Sequence, residues 1–133
     1  MISPGTYNLV STAITTALTS EAYDATTGLD GVTAVTIEAR LAYGSGGTTA
    51  AAVVQTSFDD GTVWRDVARF DFTTASATKV ANLSGLLSKA VTSYAALASE
   101  GVTDGVLGDR LRAVVTTTGT YVDTTLSVRV ACR

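Results

Sequence analysis

Val35-Thr36-Ile37-Glu38-Ala39-Arg40-Leu41-Ala42-Tyr43 alternates apolar and polar residues from Val35 to Leu41, with Ala42 and Tyr43 continuing in phase. Successive side chains of a strand point to opposite faces, so a period of two predicts a strand with one buried and one polar face. The same period recurs on either side of this stretch. Gly44-Ser45-Gly46-Gly47 breaks it and reads as a hairpin loop. Ala51 to Phe58 follows as an Ala- and Val-rich strand. Asp59-Asp60-Gly61 suits a type I turn with a left-handed glycine, closing a hairpin with a bulge. The return strand, Trp64 to Phe72, puts Trp64, Ala68, Phe70 and Phe72 on one face and predicts a core tryptophan.

Gly119-Thr120 fits a two-residue turn with glycine first. That register sets Thr118 against Tyr121, Val115 against Thr124, Ala113 against Leu126 and Leu111 against Val128, all but the turn pair on one apolar face. It also sets Arg110 against Arg129. Opposed like charges are unfavourable, which predicts an acidic group or a partner surface nearby.

Two segments leave alternatives open. Leu87, Val91, Tyr94 and Leu97 recur at helical spacing, with Gly101 as a stop, while Val91, Thr92 and Tyr94 are good strand formers. A short helix near 86–99 and an edge strand both fit. Thr6 to Val10 and Thr15 to Asp24 read as further strands or as an extended arm. The expected organisation is therefore a strand or arm over 1–24 and a sandwich over 25–133. The fold class is all-β, a single antiparallel β-sandwich of jelly-roll-like type.

The 133 residues suit one domain. Charged residues make up 16% of them, below the roughly 25% usual in soluble domains. Net charge is −3, which argues against a nucleic-acid partner. Residues 1–60 hold six acids and one base (−5), and residues 61–133 hold six acids and eight bases (+2). Such a split can steer like copies together head to tail. The first twenty residues contain no Lys or Arg and no unbroken apolar run, the pattern of neither a signal peptide nor a membrane span.

Residues able to do chemistry are scarce. There is no His, and the one Cys is Cys132, so His-based triads, Cys/His zinc sites and internal disulfides are excluded. No phosphate-binding glycine loop is present. Asp59 and Asp60 are placed to bond a turn backbone. Asp104 and Asp109 flank glycines without the alternating ligands of a calcium loop. The expectation is no enzyme, no metal and no cofactor. Tyr7, Tyr23 and Tyr121 are expected at the surface, where Tyr serves interfaces. The uncharged segment before Glu21 predicts contacts outside its own sandwich through Tyr7, Leu9, Val10 and Ile14, joined by Arg110 and Arg129.

Val54-Gln55-Thr56-Ser57-Phe58-Asp59-Asp60-Gly61-Thr62-Val63-Trp64-Arg65-Asp66-Val67-Ala68 resembles a hairpin of small β-sandwich structural proteins of tailed bacteriophage virions. Thr103 to Arg112, continuing into Thr118-Gly119-Thr120-Tyr121, resembles the C-terminal hairpin of the same group. Together these stretches cover about a third of the chain and consist mainly of turn and core positions. The resemblance implies a capsid decoration, or cement, protein assembled in the host cytoplasm into the virion. Its partners would be the major capsid protein or other virion proteins and sister copies, as a homo-oligomer without nucleic acid or membrane. A tail or neck component is the nearest alternative, and a glycan-binding sandwich for host attachment is the alternative of another class.

Overall fold

The computed structural model describes residues 2–133. In chain order its strands are β1 (Gly5–Ile14), β2 (Glu21–Ala22), β3 (Ala34–Ala42), β4 (Ser45–Gly46), β5 (Thr49–Ser57), β6 (Trp64–Phe72), β7 (Ala77–Ser84), β8 (Gly101–Val102), β9 (Arg110–Thr118), β10 (Tyr121–Val122) and β11 (Thr124–Cys132). The front sheet has the order β1-β11-β3-β7 and the back sheet β2-β9-β5-β6-β8, while β10 and β4 form a small ribbon. All pairings are antiparallel. Successive long strands mostly alternate between the sheets, which is the wrapping of a jelly roll.

The period of two does what the sequence predicts. In β3, Val35, Ile37, Ala39 and Leu41 are buried while Thr36, Glu38, Arg40 and Ala42 are exposed. In the back sheet Ala50, Ala52 and Val54 of β5 and Leu111, Ala113 and Val115 of β9 point the other way, toward Leu126, Val128 and Val130 of β11. Burying a Val, Leu or Ile side chain of these faces contributes roughly 1.5–3 kcal/mol, so the two inner faces supply most of the driving force.

Two expected hairpins are crossovers. β9 pairs with β5 and β2, and β11 with β1 and β3, so the chain passes between sheets at 119–123 instead of turning back within one. Gly44-Ser45-Gly46-Gly47 likewise carries the chain from β3 in the front sheet to β5 in the back sheet. A crossover keeps inward residues inward, as a hairpin would, and so leaves the alternation unchanged. Tyr121 is consequently buried and not at the surface: its hydroxyl donates to the Thr73 carbonyl at 2.7 Å, and its ring meets Tyr43 edge-on. Gly47 makes room for it, since a Cβ there would stand 2.4 Å from the Tyr121 ring.

The β5–β6 hairpin is present, with Ser57 opposite Trp64. Both Asp60 (φ 58°) and Gly61 (φ 86°) are left-handed at its turn. Its bulge lies farther up, where Val54 pairs with Ala68 and Gln55 with Asp66, leaving Val67 as the extra residue. That residue reverses the phase of the strand. Phe70 and Phe72 stay in the core, but Trp64 turns to the outer face of the back sheet and is half-buried. The expected core tryptophan is therefore a face tryptophan.

The segment 86–99 is neither helix nor strand. The N-terminal segment is built into the sandwich: β1 pairs with β11 from Gly5↔Cys132 to Ile14↔Thr124, with a bulge at Leu9.

Candidate interaction surface

β6 lies next to the edge of the back sheet and meets β8 only at Ala68 and Arg69. The remaining groups on that side need other partners, because an unpaired buried N–H or C=O is costly. Residues 85–100 provide them as a strap running from β7 to β8. The Asp66 amide donates to the Tyr94 hydroxyl at 2.8 Å, and the Asp71 amide donates to the Glu100 carboxylate at 2.9 Å. In return the Leu97 amide donates to Asp66 Oδ2 (3.0 Å), and Arg69 donates to the Leu97 carbonyl (3.0 Å). Side chains hold the strap's backbone at these points, which is why it needs neither a helical nor a strand ladder.

Asp66 is the anchor. Its buried carboxylate also accepts from Gln55 Nε2 at 2.8 Å, and Gln55 Oε1 accepts from Arg112 Nε at 2.9 Å. The Arg112 guanidinium lies over the Trp64 ring, and burial pulls its pKa down. At the strap's far end the Lys79 ammonium pairs with Glu100 at 2.6 Å, bridging the two sheets. Lys79 first, and then the Asp71 amide, hold the Glu100 carboxyl below its ordinary range.

The β5–β6 turn is pinned separately. Asp59 accepts from the Val63 amide (2.8 Å) and the Ser57 hydroxyl (2.9 Å), which lower its pKa in that order. Asp104 accepts from the Ser84 and Gly105 amides. Among the described residues no group of three or more His, Cys, Asp or Glu is placed to hold a metal.

Between strap and turn lies a groove of ≈ 530 Å³, bordered by Phe58, Arg65, Lys89, Val91, Tyr94 and Val106. Phe58 is 63% exposed and Val91 fully so. Leu86 and Leu87, at the start of the strap, are exposed as well. Monomeric proteins scatter exposed apolar residues singly, whereas grouped ones mark contact sites. The Arg65 guanidinium sits 4.8 Å from the Tyr94 ring centroid. Neither Arg65 nor Lys89 has an ion-pair partner among the described residues.

The residues expected at an interface are scattered elsewhere. Leu9, Val10 and Ile14 are buried in the domain's own core, because β1 is a sheet strand and not a free arm. Tyr7 and Tyr23 are half-buried against that core. Arg110 is held by Asp60 and Asp109, and Arg129 lies exposed on the front sheet opposite Glu38 and Asn8. The two arginines are in different sheets, so the predicted like-charge pair does not form. Sequence reading missed the groove, although the surplus of apolar residues over 86–97 was a signal for it.

No family model matches the chain, and neither a curated protein nor a solved structure shows significant similarity to it.

Proposed function

We propose that this chain is a non-enzymatic virion structural protein of a tailed bacteriophage, a capsid decoration protein that binds and stabilises the head shell through protein–protein contacts. The observation that carries the reading is the apolar groove at the strap, with Phe58, Val91 and Tyr94 gathered around it and Leu86 and Leu87 exposed on the same strap. A contact site is typically apolar and aromatic at its centre with a polar rim, and Phe58 and Tyr94 with Arg65 and Lys89 at the border fit that make-up. The resemblance of Val54–Ala68 and Thr103–Arg112 to virion sandwiches supplies the virion part of the proposal. The fold alone does not, since sandwiches of this wrapping serve many functions. The glycan-binding reading asks for coplanar exposed aromatics on a sheet face. Trp64 on the back sheet is half-covered by Arg112, and among the described residues it stacks on no other aromatic ring.

Co-sedimentation of the purified chain with empty phage head shells tests the proposal. The expected result is saturable binding that Val91→Asp and Phe58→Asp abolish while the melting temperature holds. Absence of binding to shells, with binding to tails or to glycans, would overturn it.

A further inference from the structure

The strap side is not the only unmatched surface of the back sheet. At the opposite edge the chain from 20 to 29 runs beside β9, paired through Glu21↔Val115, Ala22↔Val114 and Thr26↔Leu111. Along and just beyond it stand Glu21, Asp24 and Asp30, all exposed, whose carboxylates have no hydrogen-bond or ion-pair partner among the described residues. Apolar side chains are interleaved with the acids: Ala22 is exposed, and Tyr23 and Ala25 are half-exposed. The strand order β2-β9-β5-β6-β8 thus places an acidic, apolar-bearing edge at one end of the sheet. At the other end is an apolar groove flanked by two unpaired cations.

We infer that the groove at Phe58, Val91 and Tyr94 receives the Glu21–Asp30 edge of a second copy of this chain, with Arg65 and Lys89 meeting its carboxylates. The inference rests on the groove being a protein contact site, as proposed above, and gives it a sister copy as partner, so that shell binding depends on the groove through the linkage of neighbouring copies. Charge complementarity selects this occupant: the groove's free charges are positive and the far edge's are negative, in a chain whose overall charge is −3. A volume of ≈ 530 Å³ admits a few side chains and not a whole element. The two surfaces are different patches on opposite edges of one sheet, so the contact is heterologous. A pair so joined keeps one free groove and one free acidic edge, and the contact propagates into a ring or a filament.

Sedimentation velocity over a concentration series, at low and high salt, reads this directly. The wild-type chain is expected to grow beyond a dimer with concentration and to dissociate as salt screens the ion pairs. Arg65→Glu with Lys89→Glu is expected to weaken association at least about tenfold, and so is Glu21→Lys with Asp24→Lys and Asp30→Lys. Circular dichroism establishes that both variants stay folded. Each variant keeps one intact surface, and the two reversed surfaces are again complementary to each other, so an equimolar mixture of the two is expected to recover association and growth beyond a dimer. A wild-type chain that is monomeric throughout, a dimer that never grows, or a mixture that stays monomeric overturns the inference. Shell co-sedimentation of the same samples separates this from the proposed function. A monomer that still coats shells defeats the inference alone, and a chain that self-associates without binding shells defeats the proposed function alone.

Discussion

The guanidinium of Arg112 lies 4.2 Å from the centroid of the Trp64 ring, on the outer face of the back sheet. Trp64 therefore contributes through stacking and partial burial, and Phe70, three residues past the bulge, contributes through full burial. A cation over an aromatic face in a partly exposed position is worth about 0.5–1 kcal/mol. Trp64→Ala is expected to cost about 1–2 kcal/mol, against about 3–5 kcal/mol for Phe70→Ala. Urea unfolding of the two variants gives the comparison. Equal losses would mean that Trp64 packs in the core.

Gly108 lies so close to the end of β5 that a Cβ would stand 2.0 Å from the Ser57 carbonyl oxygen. Its amide also donates to the Thr56 hydroxyl at 2.8 Å, so the backbone has little freedom to withdraw. Gly108→Ala is expected to cost about 1–3 kcal/mol, the range for forced overpacking. Gly101, with open space around it, is the control, and Gly101→Ala is expected within about 0.5 kcal/mol of wild type. Differential scanning calorimetry on both variants checks the contrast.

Asp66 is shared between Gln55 and the strap amide of Leu97. In Asp66→Asn one oxygen becomes an N–H group, which cannot accept from either donor. One buried donor is then left unmatched, at a cost of about 1–3 kcal/mol. Hydrogen exchange of the Leu97 amide and proteolysis within 86–99 are expected to accelerate well ahead of exchange in β3. An unchanged strap in this variant would show that the side chain does not hold it.

Glu100 and Asp59 both have carboxyl pKa values below the ordinary range. A carboxyl depressed in the folded state adds stability above its unfolded pKa, and that stability is lost as pH falls through the folded value. The chain is therefore expected to keep these contributions from neutral pH down to the ordinary carboxylate range and to lose them below it. Glu100→Gln is expected to lower stability at neutral pH and to flatten the acid limb. Denaturant midpoints across that pH span provide the measurement.

The strands and their buried faces were legible because alternation is local: β3 can be read from its own nine residues. Sheet membership was not legible. A hairpin and a crossover at 119–123 bury the same residues, and only the non-local pairing of β11 with β1 and β3 tells them apart. The phase reversal at Val67 also escaped, since one extra residue inverts every side chain before it. The consecutive buried residues Asp66, Val67 and Ala68 are its trace. The strap misled in another way. Leu87, Val91, Tyr94 and Leu97 have the spacing of a helix face, yet Asp66 and Arg69 hold the backbone of Leu97, and Leu87 and Val91 are exposed. The groove could not be read because it depends on where that strap lies against the β5–β6 turn.

β11 is the last of the strands in sequence and yet sits inside the front sheet, between β1 and β3. On the ribosome, β1 and the β3–β7 pair are made long before Thr124–Cys132 exists, and each presents an open edge where β11 belongs. The nascent chain therefore carries two vacant seats for one strand, and any neighbouring chain that has finished its own β11 can fill them. Until β11 docks, this domain is open to strand exchange between copies, and prompt docking of Thr124–Cys132 closes both edges at once.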